Sequence, residues 1–472
     1  MKSDAKVKLL RLLRHLRLLR LFFQLPRKPG IASVNPLPIT HYPLQKFMSI
    51  QSFTLKNYRS FVDRTTIELR PLTLLFGYNN SGKSALLRAL PLIADSLNGQ
   101  SRNTSLALDS PAVRGSHFKE LLSHIGSAQE FDLELSLADE DIQRLKWMLR
   151  GVFKLKAHVI SNFSVLGSNG TTLLSGHFKS STDKKRLPEY DVQLAQDSAI
   201  YEQVLQFEGL LPSLLPKQPT HALPAQLVSL IEQCQKLKHI NTRIQWLSSI
   251  RQSPLRNNPF KGVAPNYLEP DGRGAAEILA YDSIFEELDI LPAVSRWYED
   301  NLRQKIVVEE MPDYFQIKLQ PVIEQSFRVN IVDVGEGLIQ LLPVLVATVR
   351  ANEGDIDILA IEEPESHLHP RHHAALAAHF CELARQNNSP KLLLETHSEN
   401  FLLRVQLEIV QRKLDPELVK VYWIRQLDDE RSIAEPVTFD HKGRPQGRWP
   451  RDVFYTDIEL SRQLVQERRK HL

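Results

Sequence analysis

Eight residues constrain this chain more than any others: Gly77-Tyr78-Asn79-Asn80-Ser81-Gly82-Lys83-Ser84, a complete G-x-x-x-x-G-K-S stretch. The apolar run LTLLFG leads into it, and SALLRALPLIADSL, which reads as a helix, follows it. Strand, glycine-rich loop and helix in that order form the context in which this spacing is a phosphate loop and not a chance turn. Such a loop turns its backbone N–H groups inward, and the helix N-terminus adds partial positive charge where phosphates sit. Lys83 is then expected to reach the β- and γ-phosphates of a nucleotide and the Ser84 hydroxyl to ligate Mg²⁺. The expected nucleotide contacts are Gly77, Asn79, Asn80, Ser81, Gly82, Lys83 and Ser84, with ATP and Mg²⁺ as the ligands.

A second stretch supplies acid. Ile358-Leu-Ala-Ile361-Glu362-Glu363-Pro364-Glu365 is an apolar strand that delivers carboxylates at its carboxyl end, where α/β sheets bind ligands. Two adjacent carboxylates can divide the work, Glu362 holding Mg²⁺ and Glu363 polarising an attacking water. A helix-capping acidic turn would explain this stretch alone, but not its pairing with an intact phosphate loop. A third strand, Lys391-Leu-Leu-Leu-Glu395-Thr396-His397-Ser398, ends in polar residues, and His397 is placed to bond a γ-phosphate and sense its loss. Glu365-Ser-His367-Leu-His369-Pro-Arg-His372-His373 could be read as a metal cluster. Its spacing does not match H-E-x-x-H and no cysteine supports it, so a loop at a dimer face is the better explanation.

The remaining patterning fits an α/β fold. QSFTLKNY and TTIELR alternate as strands do, and FDLELSL and VFKLKAHVI look like further strands. Residues 165–225 read as a polar, loop-rich stretch. Helical patterns return at AQLVSLIEQCQKLKHI and AAEILAYDSIFEELDILPAVSRWYEDNLRQ. After Asn330, helices and strands alternate through GLIQLLPVLVATVR, DILAIEE, RHHAALAAHFCELARQ, KLLLET and NFLLRVQLEIV. This order predicts a mixed central sheet flanked by helices. The expected divisions are a basic leader at 1–47, an N-terminal lobe at 48–150, an insertion with β-rich and helical parts at 151–330, a C-terminal lobe at 331–412, and a further element at 413–472.

Charge has to be divided before it means anything. Residues 1–47 hold ten Lys and Arg against one Asp, which leaves 49 basic and 54 acidic residues in the rest. The net +4 therefore comes from the leader and gives no support to a nucleic-acid-binding body. Within the leader, Leu9, Leu12, Leu16, Leu19 and Phe23 fall on one helical stripe, with Arg11, Arg14, Arg17 and Arg20 around the other half. That pattern suits an anionic membrane surface or a partner's groove. The alternative is that the working sequence starts at Met48, where strand-like patterning begins. No stretch approaches ~18 consecutive apolar residues, so no integral membrane segment is expected. The two cysteines, Cys234 and Cys381, sit in helix-like apolar stretches, which suits a reducing cytoplasm.

Taken together these motifs resemble the RecF/SMC/OLD-like branch of ABC ATPases, the group often labelled AAA-15 or AAA-21. The resemblance begins at FTLKNYRSF (Phe53–Phe61) and runs through FGYNNSGKS. It returns at Asp333-Val-Gly335-Glu-Gly337-Leu-Ile-Gln340, IEEPESHLHP and ETHSENFLLR. SIRQSPLRNNPF, PDGRGAAEILA and the terminal GRPQGRWPRDVFYTD resemble bacterial members that end in a domain of unknown function. The family likeness implies a P-loop ATPase that dimerises head to head with ATP between protomers. Gly335 and Gly337 would close on the partner's nucleotide, and His367–Pro370 would touch the partner. Ile339 departs from the pattern, standing where the family usually has a serine that bonds the trans γ-phosphate. Gln129 is the candidate for the family's switch glutamine.

Two functional classes follow. One is an ATP-switched homodimer acting on or sensing nucleic acid, as in a phage-defence or repair system. The other is a slow ATPase that scaffolds or represses a separate effector protein. No long heptad arm interrupts residues 85–330, and the tail after His397 has no room for an acidic nuclease domain. A small-molecule kinase is disfavoured because the Glu363 and His397 arrangement suits attack by water.

Overall fold

A computed structural model describes residues 49–98, 105–125, 128–152, 157–179, 188–195, 200–202, 205–215, 223–285, 289–323, 327–352, 356–387, 389–449 and 463. The basic leader at 1–47 and residues 450–462 and 464–472 of the expected C-terminal element lie outside these residues. Among the described residues no helix is long and apolar enough to cross a membrane.

The chain opens with β1 (Ser49–Lys56), β2 (Thr65–Glu68) and β3 (Leu72–Gly77), followed by the helices α1 (Lys83–Leu97) and α2 (Phe118–Leu121). Next comes a strand series: β4 (Glu130–Ala138), β5 (Arg144–Val152), β6 (Ala157–Leu166), β7 (Thr172–Lys179), β8 (Glu189–Leu194), β9 (Ile200–Glu202), β10 (Leu205–Glu208) and β11 (Leu211–Leu214). Then α3 (Ala225–Gln235), β12 (Ile244–Leu247), β13 (Asn258–Pro259), α4 (Ala275–Phe285) and α5 (Ile290–Leu302) precede β14 (Gln304–Glu310), β15 (Tyr314–Pro321) and β16 (Val329–Asn330). The last third alternates: α6 (Glu336–Asn352), β17 (Ile358–Glu362), α7 (Pro370–Arg385), β18 (Lys391–Thr396), α8 (Glu399–Val410), β19 (Val419–Gln426), β20 (Ser432–Phe439) and β21 (Pro445–Gln446).

Two large sheets organise these strands. The first, β2-β1-β4-β5-β6-β7-β8-β9, is antiparallel throughout. The second runs β12-β17-β18-β3-β19-β20-β21, parallel from β12 to β19 and antiparallel beyond. All six positions of β3 and all five of β17 are buried, the near-continuous apolar pattern of strands covered on both faces. Successive side chains alternate between two cores: Leu75, Ile358 and Ala360 enter one, while Leu74, Phe76, Leu359 and Ile361 enter the other.

The order β17-β18-β3 matters most for function. β18 comes after β17 in sequence yet lies between it and β3, so the carboxyl ends of three parallel strands stand side by side. This is where an open α/β sheet receives ligands.

The expected α/β architecture with a mixed sheet is the one observed, but the expected divisions cut across it. The stretch 165–225, read as loop-rich, contributes β7 to β11. Its strands are short or polar on one side, so they lack the apolar runs that mark β3, β17 and β18. The boundary at residue 150 falls inside β5, within one continuous sheet. β12, assigned to the insertion, pairs in parallel with β17 from Ile244↔Ile358 to Leu247↔Ile361. β19, assigned to a separate C-terminal element, lies directly against β3.

Candidate nucleotide site

The phosphate loop is shaped by close packing. Gly77 ends β3 in register with Ile424 of β19, and a Cβ there would stand 2.1 Å from the Ile424 carbonyl oxygen. Gly82 has φ +100°, and a Cβ on it would meet the Phe61 ring at 2.9 Å. Only glycine accepts both the backbone conformation and the contact. Phe61 belongs to the NYRSF stretch, so the segment that carried the resemblance is also the floor beneath the loop. Asn80 adopts φ 63° and the Ser81 hydroxyl is buried without a partner.

Lys83 is 3% exposed, donates to the Tyr78 carbonyl at 2.8 Å and lies 4.0 Å from Glu395. Burial draws its pKa down, against the pull of Glu395, Glu363 and Glu365. The Ser84 hydroxyl donates to Glu395 Oε1 at 2.7 Å. Ser84 is the hydroxyl expected to serve Mg²⁺ beside Glu362. Glu362, fully buried at the end of β17, is contacted by Arg88, whose Nε and Nη2 donate to its two oxygens at 2.6 and 2.5 Å. Trp246 Nε1 adds a bond at 3.2 Å and the Ser249 N–H another at 3.3 Å.

The turn after β17 holds the other carboxylates. Glu363 sits at φ 41°, a conformation uncommon for a residue with a side chain and one that clusters at functional sites. Its N–H donates to the Glu395 carbonyl at 2.9 Å, and its Oε2 accepts from Ser366 Oγ at 2.9 Å. Arg251 Nη2 bridges the carbonyls of Glu362 at 2.5 Å and Glu363 at 3.1 Å, clamping the turn from behind. Burial lowers the Arg251 pKa to about 10, with Glu365, Glu362 and Glu363 opposing. His397 Nδ1 stands 3.9 Å from Glu363 Oε1 and 4.0 Å from Glu365 Oε1. Glu365, 1% exposed, accepts from Thr396 Oγ1 at 2.5 Å and from the His397 N–H at 3.3 Å. Glu363 and His397, named from separate motifs, thus face one another where β17 and β18 end.

Other expected residues are placed differently. Gly335 is exposed at the start of α6, with open space around it. A Cβ on Gly337 would stand 2.4 Å from the His367 carbonyl oxygen, so the start of α6 abuts the 367–370 loop within one chain. Ile339 is 6% exposed and packs in the second core. Gln129 is exposed one residue ahead of β4. Two of the histidines in 367–373 serve local structure. His369 Nδ1 caps α7 by accepting from the Arg371 N–H at 3.2 Å, and His373 touches Ser398 Oγ at 2.8 Å and the Leu368 carbonyl at 3.0 Å.

Sequence reasoning missed Arg88, Trp246, Arg251 and the contact made by Glu395. The one signal available was helical spacing: Ser84 and Arg88, four apart on α1, share a face.

A phosphate loop on β3, carboxylates at the end of β17 and a histidine after the strand between them define an α/β P-loop NTPase. The AAA_15 family, described as an AAA ATPase domain, matches residues 48–209 and 217–402, and the chain belongs to it. Among solved structures, an Smc head bound to the C-winged helix domain of ScpA is similar at 12% identity and TM-score 0.45, covering 83% of this chain and 98% of that one. The Smc head with extended coiled coil from Pyrococcus furiosus, bound to the C-terminal domain of ScpA, is similar at 13% identity and TM-score 0.43, covering 90% and 100%. The SMC head from Thermotoga maritima matches at 11% identity and TM-score 0.40, covering 83% and 99%. No curated protein matches the chain.

Proposed function

We propose that the chain binds Mg-ATP on Gly77–Ser84 and hydrolyses it to ADP and phosphate. The observation that carries this is the convergence of Lys83, Ser84, Glu363 and His397 at the carboxyl ends of three neighbouring parallel strands. Lys83, already drawn toward the loop by the Tyr78 carbonyl, meets the β- and γ-phosphates on leaving that bond. Glu363 accepts a proton from the attacking water as oxygen bonds to the γ-phosphorus and the bridging oxygen leaves with ADP. His397, half-exposed beside Glu363, donates to the γ-phosphate and orients the same water.

The donor set suits Mg²⁺. One serine hydroxyl, buried carboxylate oxygen and phosphate oxygens form the small hard-oxygen set this ion takes when it keeps several waters. A bound ion, held on the Ser84 side of the loop, would offset the negative charge of the phosphates.

In our reading the ATPase works as an ATP-switched homodimer in a DNA-related or phage-defence process, in the cytoplasm. The exposed Gly335 at the start of α6 supports closure on a second copy. With Ile339 turned into the core, the partner's nucleotide would be met by backbone and not by a serine hydroxyl. That same feature favours the second reading, a slow ATPase that regulates an effector protein without touching nucleic acid. Turnover of ATP with and without double-stranded DNA ends separates them. Stimulation by DNA supports the first reading, and turnover indifferent to DNA and RNA moves the assignment to the second. Absence of turnover under every condition overturns hydrolysis itself.

A further inference from the structure

Two stretches, SIRQSPLRNNPF and PDGRGAAEILA, belong neither to the phosphate loop nor to the strands that carry the acids, yet they meet behind the site. The Ser248 N–H donates to the Pro270 carbonyl at 2.7 Å and the Gln252 N–H to the Asp271 carbonyl at 2.8 Å. Gly272, at φ +80°, closes this junction against α6. A Cβ on it would stand 2.8 Å from Pro343 Cβ and 3.7 Å from Arg251 Cβ, so only glycine fits. From α6, Gln340 Nε2 donates to the Arg251 carbonyl at 2.7 Å. The backbone of Arg251 is therefore tied to one helix while its side chain crosses to the end of β17.

Stability does not explain that side chain. Arg251 is 3% exposed; Nη2 bonds the Glu362 and Glu363 carbonyls, while Nε and Nη1 are buried without a hydrogen-bond partner. A buried guanidinium left this incompletely bonded is destabilising relative to a well-packed apolar side chain. What the arginine supplies is geometry. Glu363 sits at φ 41°, a strained conformation that persists only where its surroundings over-determine it. The Glu362 carbonyl belongs to the peptide plane before the Glu363 Cα and the Glu363 carbonyl to the plane after it, so one guanidinium holds both. The first plane is held again by the Glu363 N–H on the Glu395 carbonyl, the second by the Ser366 N–H on the Glu363 carbonyl at 3.1 Å. With both planes fixed, the Cα–Cβ direction of Glu363 is fixed too, and its carboxylate stands 3.9 Å from His397 Nδ1.

We propose that Arg251 is a positioning residue for hydrolysis: by bonding both peptide planes it aims the Glu363 carboxylate at the attacking water, and through Gln340 it makes that aim depend on α6. The proposal rests on the Mg-ATP reading. Arg251 acts through the backbone of the turn and not on the reacting atoms, so its loss slows the chemical step and leaves nucleotide binding to the phosphate loop.

Single-turnover ATP hydrolysis and ATP affinity, measured side by side on the full chain, test this. Arg251→Ala should slow hydrolysis about 10–100-fold, the loss that a misplaced catalytic group produces, with ATP affinity within about 3-fold of wild type. Guanidinium chloride, far below denaturing concentration, should restore part of the Arg251→Ala rate and leave wild type unchanged. Arg251→Lys, which keeps a cation in place, should lose less. Gln340→Leu should slow hydrolysis by a smaller factor, again at unchanged affinity. An Arg251→Ala variant that is folded by circular dichroism and hydrolyses ATP at the wild-type rate overturns the proposal. So does one whose affinity falls as far as its rate and which guanidinium does not recover, since that is how a merely structural residue behaves. Should Arg251→Ala fail to fold, wild-type rates in both Arg251→Lys and Gln340→Leu overturn it equally. Variants that match an active wild type sink only the positioning role, whereas wild type that neither binds nor hydrolyses ATP sinks the Mg-ATP reading and this role with it.

Discussion

The two large sheets handle charge in contrasting ways. In the antiparallel sheet the buried acid Glu134, 4% exposed, is met by Arg64, Arg144 and Lys146, all reaching in from the surface at 2.8, 3.7 and 3.6 Å. No single partner decides its fate. At the ends of β3, β17 and β18, by contrast, Glu362, Glu365, Glu395, Lys83 and Arg251 are each at most 3% exposed, and most have one or two defined partners. There the charge is spread over exposed, replaceable groups. A parallel sheet covered on both faces leaves only its carboxyl ends for polar groups, so charges accumulate there at close range and low dielectric. Architecture, more than composition, decides where this chain can do chemistry.

The contrast can be broken by removing one cation from each region. Arg88→Ala leaves Glu362 buried without its main partner and should destabilise the protein by about 3–5 kcal/mol. Chemical denaturation measures this, and a loss below ~1 kcal/mol would mean that Trp246 and Ser249 suffice. Acid probes both regions at once. His158 on β6 accepts the Leu106 N–H at 3.0 Å, and burial lowers its pKa to about 4; burial also takes His379 on α7 to about 4. An unfolded chain protonates these groups near pH 6.5 while the folded one does not, so their contribution is complete above pH 6.5 and lost as pH falls toward 4. At pH 5 each should have cost about 2 kcal/mol relative to pH 7. Thermal melts of wild type and His158→Phe would differ less at pH 5 than at pH 7 if this holds. The smallest effect is expected at the antiparallel sheet: Arg64→Ala should cost less than ~1 kcal/mol, because Arg144 and Lys146 remain and exposed ion pairs contribute little. A loss as large as that of Arg88→Ala would erase the distinction between the sheets.

Legibility in the sequence followed the same division. Strands buried on both faces announce themselves as apolar runs, so β3, β17 and β18 and the polar residues at their ends could be read directly. The strands β7 to β11 could not, because short, half-polar segments look like loops until neighbours supply their pairing. β12 has only four residues, and nothing local says that it joins β17. The same limit applied inside the site. Glu362, Glu363 and Glu395 are chemically alike in one dimension, and only the register of β17 with β18, set against Ser84 and Arg88 on α1, distinguishes them. Ile339 is a similar case: it stood out as a missing serine, and in three dimensions it is a core residue.

The central claim is that the carboxylate turn after β17 activates water at a nucleotide held by β3 and α1. Single-turnover hydrolysis of ATP by Glu363→Gln, measured alongside ATP affinity, tests it most directly. The account predicts ATP affinity within about 3-fold of wild type and a hydrolysis rate about 10²–10⁴-fold lower, the range for loss of a general base. A variant that binds ATP and hydrolyses it at the wild-type rate would contradict the account.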